Sequence, residues 1–285
     1  EPLSKETFIL SNNWFMMFYL ATVFIGTVYP IFTQVLYDIK ISVGPPFYNS
    51  VIAPFIIPFL IFMALGPKIN WIKQKYNDLK SFILILILSC FINFLIFFFF
   101  KSYNIISNLI IISSLFLIIH SAKDFILKAK TKLHFNFSSF LSHIGFGFLI
   151  FFIILNHNFS KEFDLNIKVG ETKKMGNMEI KFNNLKIEKR ENYNAVVGYF
   201  NIFDSEKKYQ KRLNPEIRVY ENPQTLTFES SIITNLKQDL YLTMSNLDGS
   251  EFYNIKFQIK PFMLWIWFAA LLTASGGLVR IFIKK

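Results

Sequence analysis

Six stretches of this chain run for 18 residues or more without a single Asp, Glu, Lys or Arg: 7–37, 41–67, 81–100, 102–122, 133–160 and 262–279. A helix rises about 1.5 Å per residue and the hydrocarbon core of a bilayer is about 30 Å thick, so about 20 apolar residues cross it. In lipid every backbone N–H and C=O must be satisfied within the protein, which makes helices the expected form of such stretches. Trimming their polar ends predicts helices near 14–33, 46–65, 81–100, 103–120, 136–155 and 262–282. Lys101-Ser102-Tyr103 reads as a tight hairpin between the third and fourth. One long helix there would leave Lys101 unpaired in mid-membrane, which is costly.

Composition agrees. Hydrophobic residues make up 53% of the chain, and 36 of 285 residues are Phe, more than a soluble core of this size could bury. The net charge of +11 does not imply a nucleic-acid face. Residues 161–260 hold 16 basic and 14 acidic groups, nearly balanced, and the surplus sits at the ends of the apolar stretches. With six crossings, one side carries Lys5, Lys68, Lys73, Lys75, Lys80, Lys123, Lys128, Lys130, Lys132, Arg280, Lys284 and Lys285, and the opposite short loops carry only Lys40 and Lys101. That asymmetry places the lysine-rich side in the cytoplasm, or the mitochondrial matrix for an organelle-encoded protein.

The segment between the fifth and sixth stretches changes period. Glu179–Ile187, Ala195–Phe203, Glu216–Tyr220, Thr225–Ile233, Asp239–Met244 and Glu251–Ile259 alternate apolar with polar residues, and Gly, Asn or Pro separates several of them. Six or seven short strands predict a small sandwich or open barrel. The expected fold is a polytopic α-helical membrane protein of about six transmembrane helices with an inserted small all-β extracytoplasmic domain. The divisions are a five-helix membrane domain over 1–160, the β domain over 161–260, and a final helix with a cytoplasmic tail over 261–285.

Chemistry-bearing residues are few. The one cysteine, Cys90, lies in an apolar run, so no disulfide or Cys-based metal site forms within the chain. Pro54 and Pro58 should kink the second helix and free carbonyls there. Of the four histidines, His120 and His134 sit beside lysine clusters at the cytoplasmic interface, and His157 ends the fifth helix. All three read as ordinary interfacial residues. His143 differs: counted from Asn136 it lies roughly 10 Å into its helix, where a titratable group usually faces the protein interior. Ser139 and Gly147 flank it one turn away on the same face, both small, leaving a notch that a flat macrocycle could approach. A histidine hydrogen-bonded to another helix fits the same spacing. The residues alone leave three classes open: a permease, a cofactor-handling assembly factor and a structural membrane subunit.

Several ordered stretches resemble the carboxyl-terminal portion of the CcmF/NrfE haem lyase family of cytochrome c-type biogenesis proteins. They are Ser4-Lys5-Glu6 with Asn12-Asn13, Gly26-Thr27-Val28-Tyr29-Pro30, Ile41-Ser42-Val43-Gly44-Pro45-Pro46-Phe47, Gly66-Pro67 and Leu141-Ser142-His143-Ile144-Gly145. Asn192-Tyr193, Pro223 with Thr225, Asp239-Leu240-Tyr241, Lys260-Pro261-Phe262 and Trp265-Ile266-Trp267 complete the series. Lys5 stands where the family usually has Arg.

The resemblance implies a subunit that takes haem from the chaperone CcmE and helps join it to apocytochrome c, which a CcmH-type subunit presents, at the bacterial (or mitochondrial) inner membrane. It also implies a membrane-embedded haem b with His143 as one axial ligand. The first haem b histidine and the family's tryptophan-rich external segment would lie upstream; Trp14, Trp71, Trp265 and Trp267 do not form that segment. The chain opens on Glu1-Pro2-Leu3 and reads as a fragment or split-gene product, inactive alone. A haem exporter or permease subunit and a non-catalytic scaffold are the other readings.

Overall fold

The computed structural model describes residues 4–68, 79–100, 104–131, 136–204, 209–246 and 251–282. They form two compact units, one of Glu1–Ile154 with Ile266–Lys285 and the other of Leu155–Trp265.

The first unit holds six helices long and apolar enough to cross a membrane: α1 (Lys5–Tyr37), α2 (Pro45–Leu65), α3 (Leu79–Phe100), α4 (Ile105–Thr131), α5 (Phe137–Phe159, whose last turn falls in the second unit) and α6 (Met263–Phe282, whose first three residues fall there too). Two run well past the stretches expected from apolarity. α1 starts at Lys5, where the Ser4 hydroxyl accepts the Thr7 N–H at 3.3 Å and Glu6 lies in the first turn, both stabilising a helix N-terminus. α4 continues to Thr131 through a charged turn in which Asp124 and Lys128 pair at 2.8 Å across one helical turn. α2 opens on Pro45, where a missing N–H costs little, and continues through Pro54 and Pro58. The hairpin expected at Lys101-Ser102-Tyr103 lies outside the described residues.

The helices pack through aromatic and branched side chains. Leu60, Ala64, Ile85, Ile110, Phe116 and Leu117 form a buried cluster from α2, α3 and α4, against which Phe146 and Ile150 of α5 pack. Phe59 sits edge-on to Phe15 of α1 and to Phe146 of α5, each at 5.8 Å between ring centres. α5 and α6 approach more closely. A Cβ at Gly276 would collide with the Ser142 side chain and lie 2.6 Å from its backbone nitrogen, and the Ser138 hydroxyl donates to the Gly276 carbonyl at 2.6 Å.

The second unit is a β-sandwich of ten strands among the described residues: β1 (Lys161–Ile167), β2 (Thr172–Met175), β3 (Met178–Lys189), β4 (Tyr193–Asp204), β5 (Tyr209–Leu213), β6 (Glu216–Glu221), β7 (Gln224–Glu229), β8 (Ser231–Thr234), β9 (Gln238–Asn246) and β10 (Tyr253–Pro261). One sheet has the order β1-β10-β9-β8; the other is β2-β3-β4-β6-β7, with β5 pairing β4. The pairs are antiparallel, and the strands that build the core, such as β3, β4 and β9, turn alternate side chains inward. Phe182 and Phe200 stack at 4.2 Å in the core, with Leu242, Met244, Ile255 and Phe257 of the facing sheet. The strand expected over Thr225–Ile233 divides at Ser230, because β7 ends one sheet and β8 begins the other. β2 and β3 turn through Gly176-Asn177, where Gly176 takes a φ of 60° that side chains rarely adopt.

Candidate functional site

The first unit contains a cavity of about 540 Å³, within the usual range for a small-molecule site. Four helices build it. Lys5, Phe8, Ile9 and Asn12 come from the first two turns of α1, spaced so that they share one face. Phe62, Met63 and Ala64 close α2, with Gly66 and Pro67 just beyond. The end of α4 contributes His120, Ser121, Asp124 and Lys128. Asn136, Ser139, Phe140 and His143 come from the start of α5. Two helices begin and two end here, so the charged residues gather at one end of the cavity and aromatic walls lie beyond. Asn12 and His143 are each seven residues further along their helices than Lys5 and Asn136, about 10 Å deeper.

The structure thus brings His143 and Ser139 to one cavity. Gly147 goes elsewhere. A Cβ there would stand 2.7 Å from Ile118 Cγ1 and 3.5 Å from the Ser114 carbonyl oxygen, so Gly147 lets α4 and α5 touch and is absent from the cavity lining. His120, read from sequence as an interfacial residue, is 6% exposed, stacks on Phe116 at 5.7 Å and lines the same cavity as His143. The signal that could have found it is its spacing from Asp124 and Lys128, one polar stripe at four-residue intervals on a helix extended beyond its apolar run. His157 is exposed, and His134 lies outside the described residues. Cys90 is exposed on α3. Pro54 and Pro58 do not line the cavity; the α2 wall begins at Phe62.

The residues present fit a haem. An imidazole reaches a cavity with phenylalanine walls and cationic groups at one end, which matches a macrocycle with a central metal, an apolar body and an anionic edge.

The sandwich carries a separate polar cluster. Asp239 is 5% exposed, its Oδ1 has no partner among the described residues, and burial pushes its carboxyl up from the usual range against the opposing effects of Thr234, Tyr241 and Lys260. Lys260 lies 4.5 Å above the Tyr241 ring. The adjacent β8–β9 turn is tied to the chain beyond β10, where the Phe262 N–H donates to Lys237 O at 3.0 Å and the Trp265 indole donates to Leu236 O at 2.9 Å. Asn156 donates to the Pro261 carbonyl at 2.6 Å.

These features define a polytopic membrane protein that carries a β-sandwich in the chain between its last two helices and a histidine-lined cavity built by α1, α2, α4 and α5. Residues 158–261 match the family model described as the CcmF C-terminal beta-sandwich. Along its length the chain is similar to the cytochrome c-type biogenesis proteins CcmF and NrfE, over roughly their carboxyl-terminal half.

It is 25% identical to the cytochrome c-type biogenesis protein CcmF of Haemophilus influenzae, over 100% of this chain and 46% of that protein. With CcmF of Pseudomonas aeruginosa the identity is 25%, over 96% of this chain and 43% of the relative. NrfE of Haemophilus influenzae is 24% identical over 98% and 44%. The chain therefore spans less than half the length of these relatives. A solved structure titled "Cytochrome c Heme Lyase CcmF" has the same fold, with a TM-score of 0.74 and 20% identity over 98% of this chain and 46% of that one.

Proposed function

We propose that this chain is the carboxyl-terminal part of a haem lyase subunit for cytochrome c maturation, and that His143 is an axial ligand of a haem b held in the membrane cavity. The observation that carries this reading is the position of His143: an imidazole lining a 540 Å³ cavity with phenylalanine walls, in a chain aligned throughout with cytochrome c biogenesis proteins. A neutral imidazole is a suitable axial donor to iron. Phe8, Phe62 and Phe140 give the cavity an apolar wall, and Ser139 leaves room for a flat ring one turn before His143. Gly147 supports the site indirectly, by holding α5 against α4. A haem bound there would supply one-electron chemistry.

The second axial histidine is assigned to residues outside these 285, since the relatives are more than twice as long. In the same reading, the complete protein works at the inner membrane, accepts haem as substrate from CcmE and delivers it to apocytochrome c presented by a CcmH-type subunit, and the sandwich takes part in that transfer.

The test is the reduced spectrum of the complete purified protein. His143→Ala is expected to remove or greatly weaken the b-type absorbance, and added imidazole to restore part of it in the small cavity left behind. His157→Ala should leave the spectrum unchanged. So should His120→Ala, whose ring is already stacked on Phe116. Full haem content with an unaltered spectrum in His143→Ala would refute the assignment.

A further inference from the structure

We propose that Lys5 pairs with a propionate of the bound macrocycle and so sets which edge of the ring enters the cavity first. The inference rests on the assignment of His143 as a haem ligand. Five titratable side chains line the cavity: Lys5, His120, Asp124, Lys128 and His143. Lys128 is matched by Asp124 at 2.8 Å on its own helix. Lys5 has no carboxylate within ion-pair distance among the described residues, and it is the lining cation of α1, on a helix other than the one carrying Asp124. With the histidines neutral, the described lining residues carry one net positive charge, contributed by Lys5.

Placement gives that charge a direction. Lys5 is the first residue of α1, and the α1 lining beyond it is Phe8, Ile9 and Asn12. On α5 the corresponding run goes from Asn136 at the same end to His143 about 10 Å deeper. The cavity therefore has a cationic end and an aromatic, imidazole-bearing end. A carboxylate leaving water for a partly buried site needs a cation beside it. A ring with its iron at His143 and its methyl and vinyl edge among the phenylalanines would turn its two carboxylates toward Lys5. One is held by the ammonium and the other remains at the open end. The reverse orientation would bury both carboxylates among Phe62, Phe140 and Met63 and leave Lys5 unmatched.

The experiment compares protohaem with its dimethyl ester, in which the charge of both propionates is removed and the ring and iron are kept. The complete protein, stripped of haem in detergent, is titrated with each. Wild type is expected to bind the free acid about tenfold tighter than the diester, the scale of one charge-assisted hydrogen bond. Lys5→Gln should bring the two affinities together by weakening the free acid alone, and Lys5→Arg should keep the preference. All three should give the same reduced spectrum, because the axial ligand is unchanged. Equal binding of acid and diester by wild type, or an undiminished preference in Lys5→Gln, would overturn the role of Lys5 while leaving the haem site standing. If wild type binds neither compound, or if His143→Ala binds both with an unaltered spectrum, the haem reading fails and this inference fails with it.

Discussion

The two neighbouring glycines of α6 offer a sharp test of how α5 is held in place. A Cβ at Gly276 would fall 2.6 Å from the Ser142 nitrogen and 2.8 Å from the Ser138 carbonyl oxygen, both backbone atoms of a helix that cannot give way locally. Ordinary contact lies at 3.4 Å or beyond, so Gly276→Ala must push the two helices apart by more than half an ångström. The push also stretches the 2.6 Å hydrogen bond from Ser138 to the Gly276 carbonyl. Overpacking of this kind costs about 1–3 kcal/mol and a lost hydrogen bond about 1 kcal/mol, giving about 2–4 kcal/mol together.

Gly277 supplies the control one residue away: a Cβ there meets nothing within 4 Å. Because alanine is the better helix former, Gly277→Ala should be neutral or slightly stabilising. The assay is thermal unfolding of the purified protein in detergent, read alongside haem content, since Ser138 and Ser142 share the first two turns of α5 with Ser139 and His143. Gly276→Ala is expected to unfold at lower temperature and to hold less haem; Gly277→Ala should match wild type in both. Equal behaviour of the two variants would refute the close α5–α6 crossing.

Two further outcomes follow from the charge distribution. The lysine asymmetry predicts that the end of α4 and the sandwich face opposite sides of the membrane, so in a Cys90→Ser background an impermeant maleimide applied to intact spheroplasts should label cysteine at Thr225 and not at Lys130; the reverse pattern would invert the topology. Burial raises the Asp239 carboxyl above its unfolded value, so the folded sandwich holds that proton longer, and its stability is fully present in acid and lost as pH rises through the raised value. In residues 155–265 expressed alone, Asp239→Asn should therefore be more stable than wild type near neutral pH and equal to it in strong acid. Urea midpoints measured across that range check the sign, and a variant that is weaker at neutral pH would contradict it.

What the sequence revealed and what it concealed divide along a physical line. Apolarity locates hydrocarbon, so the six charge-free stretches located six helices, and strand alternation located the sandwich core at Phe182, Phe200, Leu242 and Phe257. Neither signal reports where a helix continues through water. The turns around Lys5, Phe8 and Asn12 of α1, and around Asp124 and Lys128 of α4, lie beyond the apolar centres of their stretches, yet they form two of the cavity's walls. His143 stands out in the sequence because an imidazole inside an apolar run contrasts with Leu, Ile and Phe, and in the structure it lines the cavity. His120 is harder to see, because the lysines nearby give it the look of an interfacial residue, whereas in the structure it is buried and stacked on Phe116. Gly147 was legible as a small residue on the right face and was assigned the wrong neighbour: period-3.6 arithmetic says which residues share a face, while the identity of the packing helix depends on tertiary contacts with Ile118 and Ser114. The same distinction explains the cavity itself. A membrane-spanning apolar face can be satisfied by lipid, whereas a polar extension such as Lys5 with Asn12, or Asp124 with Lys128, needs water, a charged partner or a polar ligand. A cavity formed where four helix ends bring such groups together is therefore suited to a ligand that is apolar over most of its body and anionic at one edge.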